Sequence, residues 1–114
     1  MTTSKYEEKK VNVLGTSYNL IFDNESITDN YGLCERYSKE IFIYLQSFTG
    51  NGTCKNVEKV IEKTIRHELL HAIFHEAGLD EYCEDETLID CLAILYPKIQ
   101  EIMSVVKTME NNYE

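Results

Sequence analysis

Three features of this 114-residue chain predict an α+β fold. Its first half alternates short β-rich runs with turn residues, as paired hairpins do. Its second half holds two stretches in which apolar residues recur every three or four positions, the period of an α-helix. Between the halves, residues 49–53 read Thr-Gly-Asn-Gly-Thr, a loop composition that ends the β-rich part. The expectation is a small antiparallel sheet of two hairpins, packed on one long helix and followed by a C-terminal helix.

Residues 1–10 are polar and are expected to form a flexible N-terminus, residues 11–110 a single domain, and residues 111–114 a frayed end. A chain of this length buries roughly two-thirds of its unfolded surface, enough for one core. In the first hairpin, residues 11–14 (Val-Asn-Val-Leu) and 18–22 (Tyr-Asn-Leu-Ile-Phe) flank Gly15, Thr16 and Ser17. An acidic, turn-rich stretch over residues 23–30 follows. In the second hairpin, residues 33–37 and 41–45 flank Ser38, Lys39 and Glu40, and Ile41, Ile43 and Leu45 alternate with Phe42 and Tyr44. One face of that last strand is expected against a helix, the other partly covered.

Asn56 fits the N-cap of a helix over residues 57–77, and Gly78 fits the position after its C-cap. Lys59, Glu62, Lys63 and Arg66 occupy one side of its first half, where Leu69, Leu70, Ile73 and Phe74 occupy the second. The helix therefore runs from solvent into the core. A second helical pattern starts near Asp85 and carries Leu88, Ile89, Leu92, Leu95, Tyr96, Ile99, Ile102, Met103 and Val106, an apolar stripe expected to be core. Pro97 is expected to kink or split it, because proline lacks the amide donor and clashes with the preceding turn.

The first helix contains His67-Glu68-Leu69-Leu70-His71, the H-E-x-x-H spacing of zinc hydrolases. Residues four apart on a helix differ by about 40° around the axis and about 6 Å along it, so two imidazoles can converge on one ion. Glu68 lies about 100° round from His67, beside the metal's open side and outside the ligand set. An imidazole entering a core needs a partner or a metal.

A catalytic zinc usually takes three protein ligands and leaves one position open. His75 continues the series but lies about 12 Å along the axis from His67, too far for one unbroken helix to bring all three rings to one ion. Glu86 comes from the next helix, which can fold back and present its carboxylate. Asp90, one turn further on, would then accept the outer N–H of a ligating histidine. The ligand set expected is His67, His71 and Glu86 around one zinc, with Asp90 behind them.

The formal charge of −9, from 20 acidic residues against 11 lysines and arginines with no basic block, argues against nucleic acid or an anionic membrane as partner. No apolar run reaches the length of a signal h-region or a membrane span, and the expectation is a cytoplasmic protein. Cys34, Cys54, Cys83 and Cys91 lack the C-x-x-C spacing of a structural zinc site and are expected to be free thiols. Cys83 falls close to the metal residues and is a further candidate ligand.

His67 to His71 followed by Glu86-Thr-Leu-Ile-Asp90 resembles the H-E-x-x-H plus E-x-x-x-D arrangement of gluzincin metallopeptidases in a short form. Residues 31–35 (Tyr-Gly-Leu-Cys-Glu), 41–44, 67–79 and 85–93 are similar to small zincin-like proteins of phages and mobile elements, distantly related to the ImmA/IrrE metallopeptidases. The resemblance covers about residues 10–100. It implies a zincin-like fold, a zinc-dependent peptidase with Glu68 as catalytic base, and a protein or peptide substrate paired along an edge strand, expected at residues 41–45. The His71 to Glu86 interval is shorter than in large gluzincins, and the chain has no second lobe to wall a cleft. The alternative is a catalytically silent zincin-fold module that binds metal or a protein. Zinc-dependent RNA hydrolysis would need a three-histidine signature that is absent, and the charge opposes it.

Overall fold

Thr16–Asp23 is the strand on which the β-rich half is built, and it pairs with a different neighbour on each side. The structure, a computed structural model, describes residues 6–49 and 56–110. In chain order the elements are β1 (Tyr6–Val13), β2 (Thr16–Asp23), β3 (Gly32–Glu35), β4 (Glu40–Tyr44), α1 (Gln46–Thr49), α2 (Val57–Glu76), α3 (Asp80–Cys83) and α4 (Glu86–Glu110). The expected loop residues 50–53 and the expected frayed end at 111–114 lie outside the described residues.

The first hairpin turns through Leu14 and Gly15, both at positive φ (51° and 95°), the twist-matched two-residue turn. The Asn12 side chain accepts from the Gly15 amide at 2.7 Å. β1 begins at Tyr6, ahead of the expected Val11, so residues 6–10 of the expected flexible terminus are ladder residues facing β2.

The sheet order is β1-β2-β4-β3, with β2 and β4 parallel and the two outer pairs antiparallel. It is therefore mixed and corrects the expected all-antiparallel sheet. It also moves residues 41–45 from the edge to the interior. The reason lies in β4 itself: Ile41 and Ile43 are fully buried, and Phe42 and Tyr44 are half-covered on the other face. A strand apolar on both faces suits an inner position. The edge beside the helices is the short β3.

α2 is the central element. Val57, Ile61, Ile65, Leu69 and Ala72 lie along its sheet side, against a core of Val13, Tyr18, Leu20, Ile41, Ile43 and Phe48. Asn56 does occupy the N-cap, but in the left-handed conformation (φ 58°) and without a side-chain cap bond. Only its carbonyl serves the helix, accepting from Lys59 and Val60. The other end closes as a Schellman motif: the Leu79 amide donates to the Phe74 carbonyl at 2.8 Å and the Gly78 amide to the His75 carbonyl at 3.0 Å, with Gly78 at φ 79°.

α4 packs on α2 from the side opposite the sheet and on α3. Asp85 caps it, its carboxylate accepting from the Leu88 amide at 3.0 Å. Arg66 of α2 donates to the Ala93 carbonyl at 2.8 Å. The helix continues through Pro97, so the expected split does not occur. Only its first half is core: Ile89 and Ala93 are fully buried, whereas Leu95, Tyr96, Ile99, Ile102, Met103 and Val106 are exposed. This corrects the expectation that the whole stripe is core. No described helix is long and apolar enough to cross a membrane.

Candidate metal centre

The α2–α4 contact brings three separated residues to one point. His67 and His71 project from the flank of α2 beside the cavity, and Glu86 from the first turn of α4. His67 Nε2 is 2.9 Å from Glu86 Oε2, and His71 Nε2 is 3.0 Å from Glu86 Oε1. One donor atom from each of the three lies within 4.8 Å of the others, so the group can hold a metal ion.

The opposite ring nitrogens each face an oxygen. His71 Nδ1 faces the Cys83 backbone carbonyl, which can only accept, so Nδ1 carries a proton and Nε2 is the nitrogen whose lone pair the neutral ring would offer. His67 Nδ1 lies 3.5 Å from Asp90 Oδ1. Asp90 also pairs with Lys63 at 3.0 Å, and that lysine together with His67 holds its carboxyl below the usual range despite partial desolvation. Metal-binding histidines are commonly held this way, one nitrogen oriented by an oxygen so that the other is aimed.

The donor set also fits by size. Zinc–nitrogen and zinc–oxygen bonds of about 2.0–2.1 Å in a tetrahedron put neighbouring donors ~3.3 Å apart; Glu86 lies 2.9 and 3.0 Å from the two histidines, whose own donor atoms are within 4.8 Å of one another. Two imidazoles and a carboxylate are an ordinary combination for zinc.

Glu68 stands beside this group, 8% exposed, in the wall of an open cavity of about 640 Å³ shared with His67, His71 and Glu86. Burial raises its carboxyl, Glu86 adds to the rise and His67 opposes it, leaving the group at about 7. Gly32 of β3 makes this arrangement possible. A Cβ there would lie 2.9 Å from Glu68 Cγ and 3.0 Å from both the Phe42 carbonyl oxygen and Thr64 Cγ2. The edge strand can approach Glu68 this closely only as glycine.

His75 is directed elsewhere, with Nδ1 2.6 Å from Asp80 and its ring edge-on to Tyr37. Cys83 is buried, yet its thiol donates to the His71 carbonyl at 3.1 Å and accepts from Arg36 at 3.3 Å, leaving its side chain outside the His67–His71–Glu86 group. Its contribution comes through its backbone carbonyl, which no residue-type signature reveals. Lys63, Gly32 and Arg36 were likewise not singled out for the site by sequence. Lys63, four residues before His67, is the one that helical spacing could have found.

Comparison with protein-family models, with curated proteins and with solved structures gives no significant match to this chain. What the structure defines is an α+β protein with a four-stranded mixed sheet and a His-His-Glu group able to bind a metal ion.

Proposed function

We propose that this chain is a zinc-dependent peptidase of zincin-like type, with His67, His71 and Glu86 as ligands of one zinc and Glu68 as general base. The observation that carries the reading is the orientation of the two histidines: His71 Nδ1 is hydrogen-bonded to the Cys83 carbonyl, His67 Nδ1 faces Asp90 at 3.5 Å, and both Nε2 atoms converge with Glu86 beside a buried carboxyl. When bound, zinc would supply Lewis-acid polarisation of a carbonyl and a water acidic enough to attack near neutral pH. Glu68 takes the proton of the attacking water and returns it to the leaving amine. Asp90 and the Cys83 carbonyl fix the tautomer and tilt of the two rings, which spares the site reorganisation during reaction.

The substrate in this reading is an extended peptide. Among the described residues the sheet ends at β3, and Gly32, Leu33 and Cys34 line the cavity next to Glu68. Main-chain pairing along that edge would lay a scissile bond beside the metal group and depend little on side-chain identity. In this reading the substrate strand lies against β3, in place of residues 41–45.

The test is cleavage profiling of a peptide library with tag-free, zinc-loaded protein and with Glu68→Gln. The reading predicts cleavage by the wild type alone, at equal zinc content. Metal binding without any cleavage would favour the catalytically silent module.

A further inference from the structure

The outward face of α4 is unlike the rest of the surface. Between Leu95 and Val106, Leu95, Tyr96, Ile99, Ile102, Met103, Val105 and Val106 are between 37% and 62% exposed. An exposed apolar patch of this extent on one helix calls for a partner. The face that α4 turns to α2, through Ile89 and Ala93, is a different one: at 100° per residue the exposed stripe is centred roughly 120° away from it. α4 therefore has one apolar face for its own fold and a second that its own domain leaves largely uncovered.

The second face has a register. Leu88, Leu92, Leu95, Ile99, Ile102 and Val106 alternate four- and three-residue steps without interruption, the a/d repeat of a helix–helix seam. Ile99 and Val106 put β-branched residues at a, and Leu95 and Ile102 put branched aliphatics at d. Tyr96, Met103 and Val105 widen the stripe at flanking positions. Such a surface is complementary to itself.

We infer that the C-terminal half of α4 pairs with the same helix of a second copy of this chain. Charge favours this occupant. The chain carries −9 overall, yet over residues 97–110 Lys98 and Lys107 balance Glu101 and Glu110, so two copies meet at a neutral stretch of helix. An anionic lipid surface would be repelled by the rest of the molecule, and the polar side of the helix lacks the lysine and arginine enrichment of membrane-surface helices. The area is also sufficient: the seven side chains expose on the order of 600 Å², so a symmetric pair would cover on the order of 1,200 Å², within the range of stable, specific interfaces. The geometry leaves room, because α4 is about 37 Å long and the molecule measures 54 × 35 × 32 Å, its long helix extending beyond the core that covers its first half. The pairing is independent of the metal site, whose α4 residues, Glu86 and Asp90, lie on the α2-facing side of the helix.

Sedimentation velocity over a dilution series tests this. The full chain should sediment with twice its 13.3 kDa mass and dissociate on dilution. Ile99→Glu and Ile102→Glu should each raise the dissociation constant on the order of 100-fold or more. Ser104→Glu, on the opposite side of the helix, should leave it unchanged. The milder Ile102→Ser, with its circular dichroism and zinc content compared with the wild type, separates lost pairing from lost folding. A wild type that stays at one chain mass at its highest soluble concentration would overturn the inference. So would a dimer indifferent to both glutamate substitutions, or a monomer that partitions onto phosphatidylglycerol vesicles.

Discussion

Gly32→Ala adds one methyl group at the point where the edge strand meets the helix of the metal centre. An ideal Cβ there sits 2.9 Å from Glu68 Cγ and 3.0 Å from the Phe42 carbonyl oxygen and from Thr64 Cγ2, against an ordinary carbon contact of about 3.5–4.0 Å. The Phe42 carbonyl belongs to the neighbouring strand and cannot swing aside, so β3 must tilt away or Glu68 must shift. Overpacking of this kind costs about 1–3 kcal/mol. Alanine also narrows the unfolded ensemble, which returns about 0.4–1 kcal/mol. The steric cost wins, and the net loss is about 1–2 kcal/mol, or a fall in Tm of roughly 4–8 °C for a domain of this size. Urea unfolding in the presence of a chelator measures it without any contribution from bound metal. Thr64→Ser removes the Cγ2 contact, so the double variant should recover part of the loss as a favourable coupling energy. A Gly32→Ala protein as stable as the wild type, or one with no coupling to Thr64→Ser, would refute the reasoning.

Four further outcomes are expected. Glu86→Ala should weaken zinc by several orders of magnitude and Asp90→Ala by roughly 10- to 100-fold, whereas His75→Ala, whose ring is spent on Asp80, should leave affinity unchanged by isothermal titration. Glu68→Gln should retain zinc and fold while abolishing any cleavage the wild type shows in a peptide assay. Leu14→Asn should stabilise the first hairpin by on the order of 1 kcal/mol, because leucine at φ 51° bears a steric cost that asparagine largely escapes; thermal melts check it. Glu76 accepts from Lys39, Tyr18 and Thr16, which hold its carboxyl down at about 2 against an ordinary 4.5. A depressed acid contributes stability that is fully present above about 4.5 and is lost as pH falls through about 2. Melting temperatures of the wild type should therefore fall over that window, and those of Glu76→Gln should show a smaller fall.

The helical half was legible because its signals are local. The stop at Gly78, the start at Asp85 and the four-residue spacing of His67 and His71 depend on neighbours along one helix, and the structure has α2 ending at Glu76 and α4 starting at Glu86. The sheet was less legible. Hairpins β1–β2 and β3–β4 were readable from turn residues, but the parallel pairing of β2 with β4 depends on how two hairpins meet, and periodicity carries no information on that. Asn56 holds the N-cap position that its residue type suggests, but in the left-handed conformation it serves the helix through its carbonyl and not through its side chain. The second half of α4 is exposed where its pattern suggests core, because periodicity reports an apolar face without saying whose surface covers it. At the metal centre, the meeting of Glu86 with the two histidines followed from helix geometry, whereas the Cys83 carbonyl that orients His71 is a backbone group and leaves no trace in residue types.

Zinc K-edge X-ray absorption on tag-free protein, with the metal quantified in the same sample, tests the account most directly. The expected result is one zinc per chain with only nitrogen and oxygen neighbours at about 2.0–2.1 Å, two of them showing imidazole scattering. A sulfur neighbour at about 2.3 Å, or a purified protein that neither contains nor takes up zinc, would contradict it.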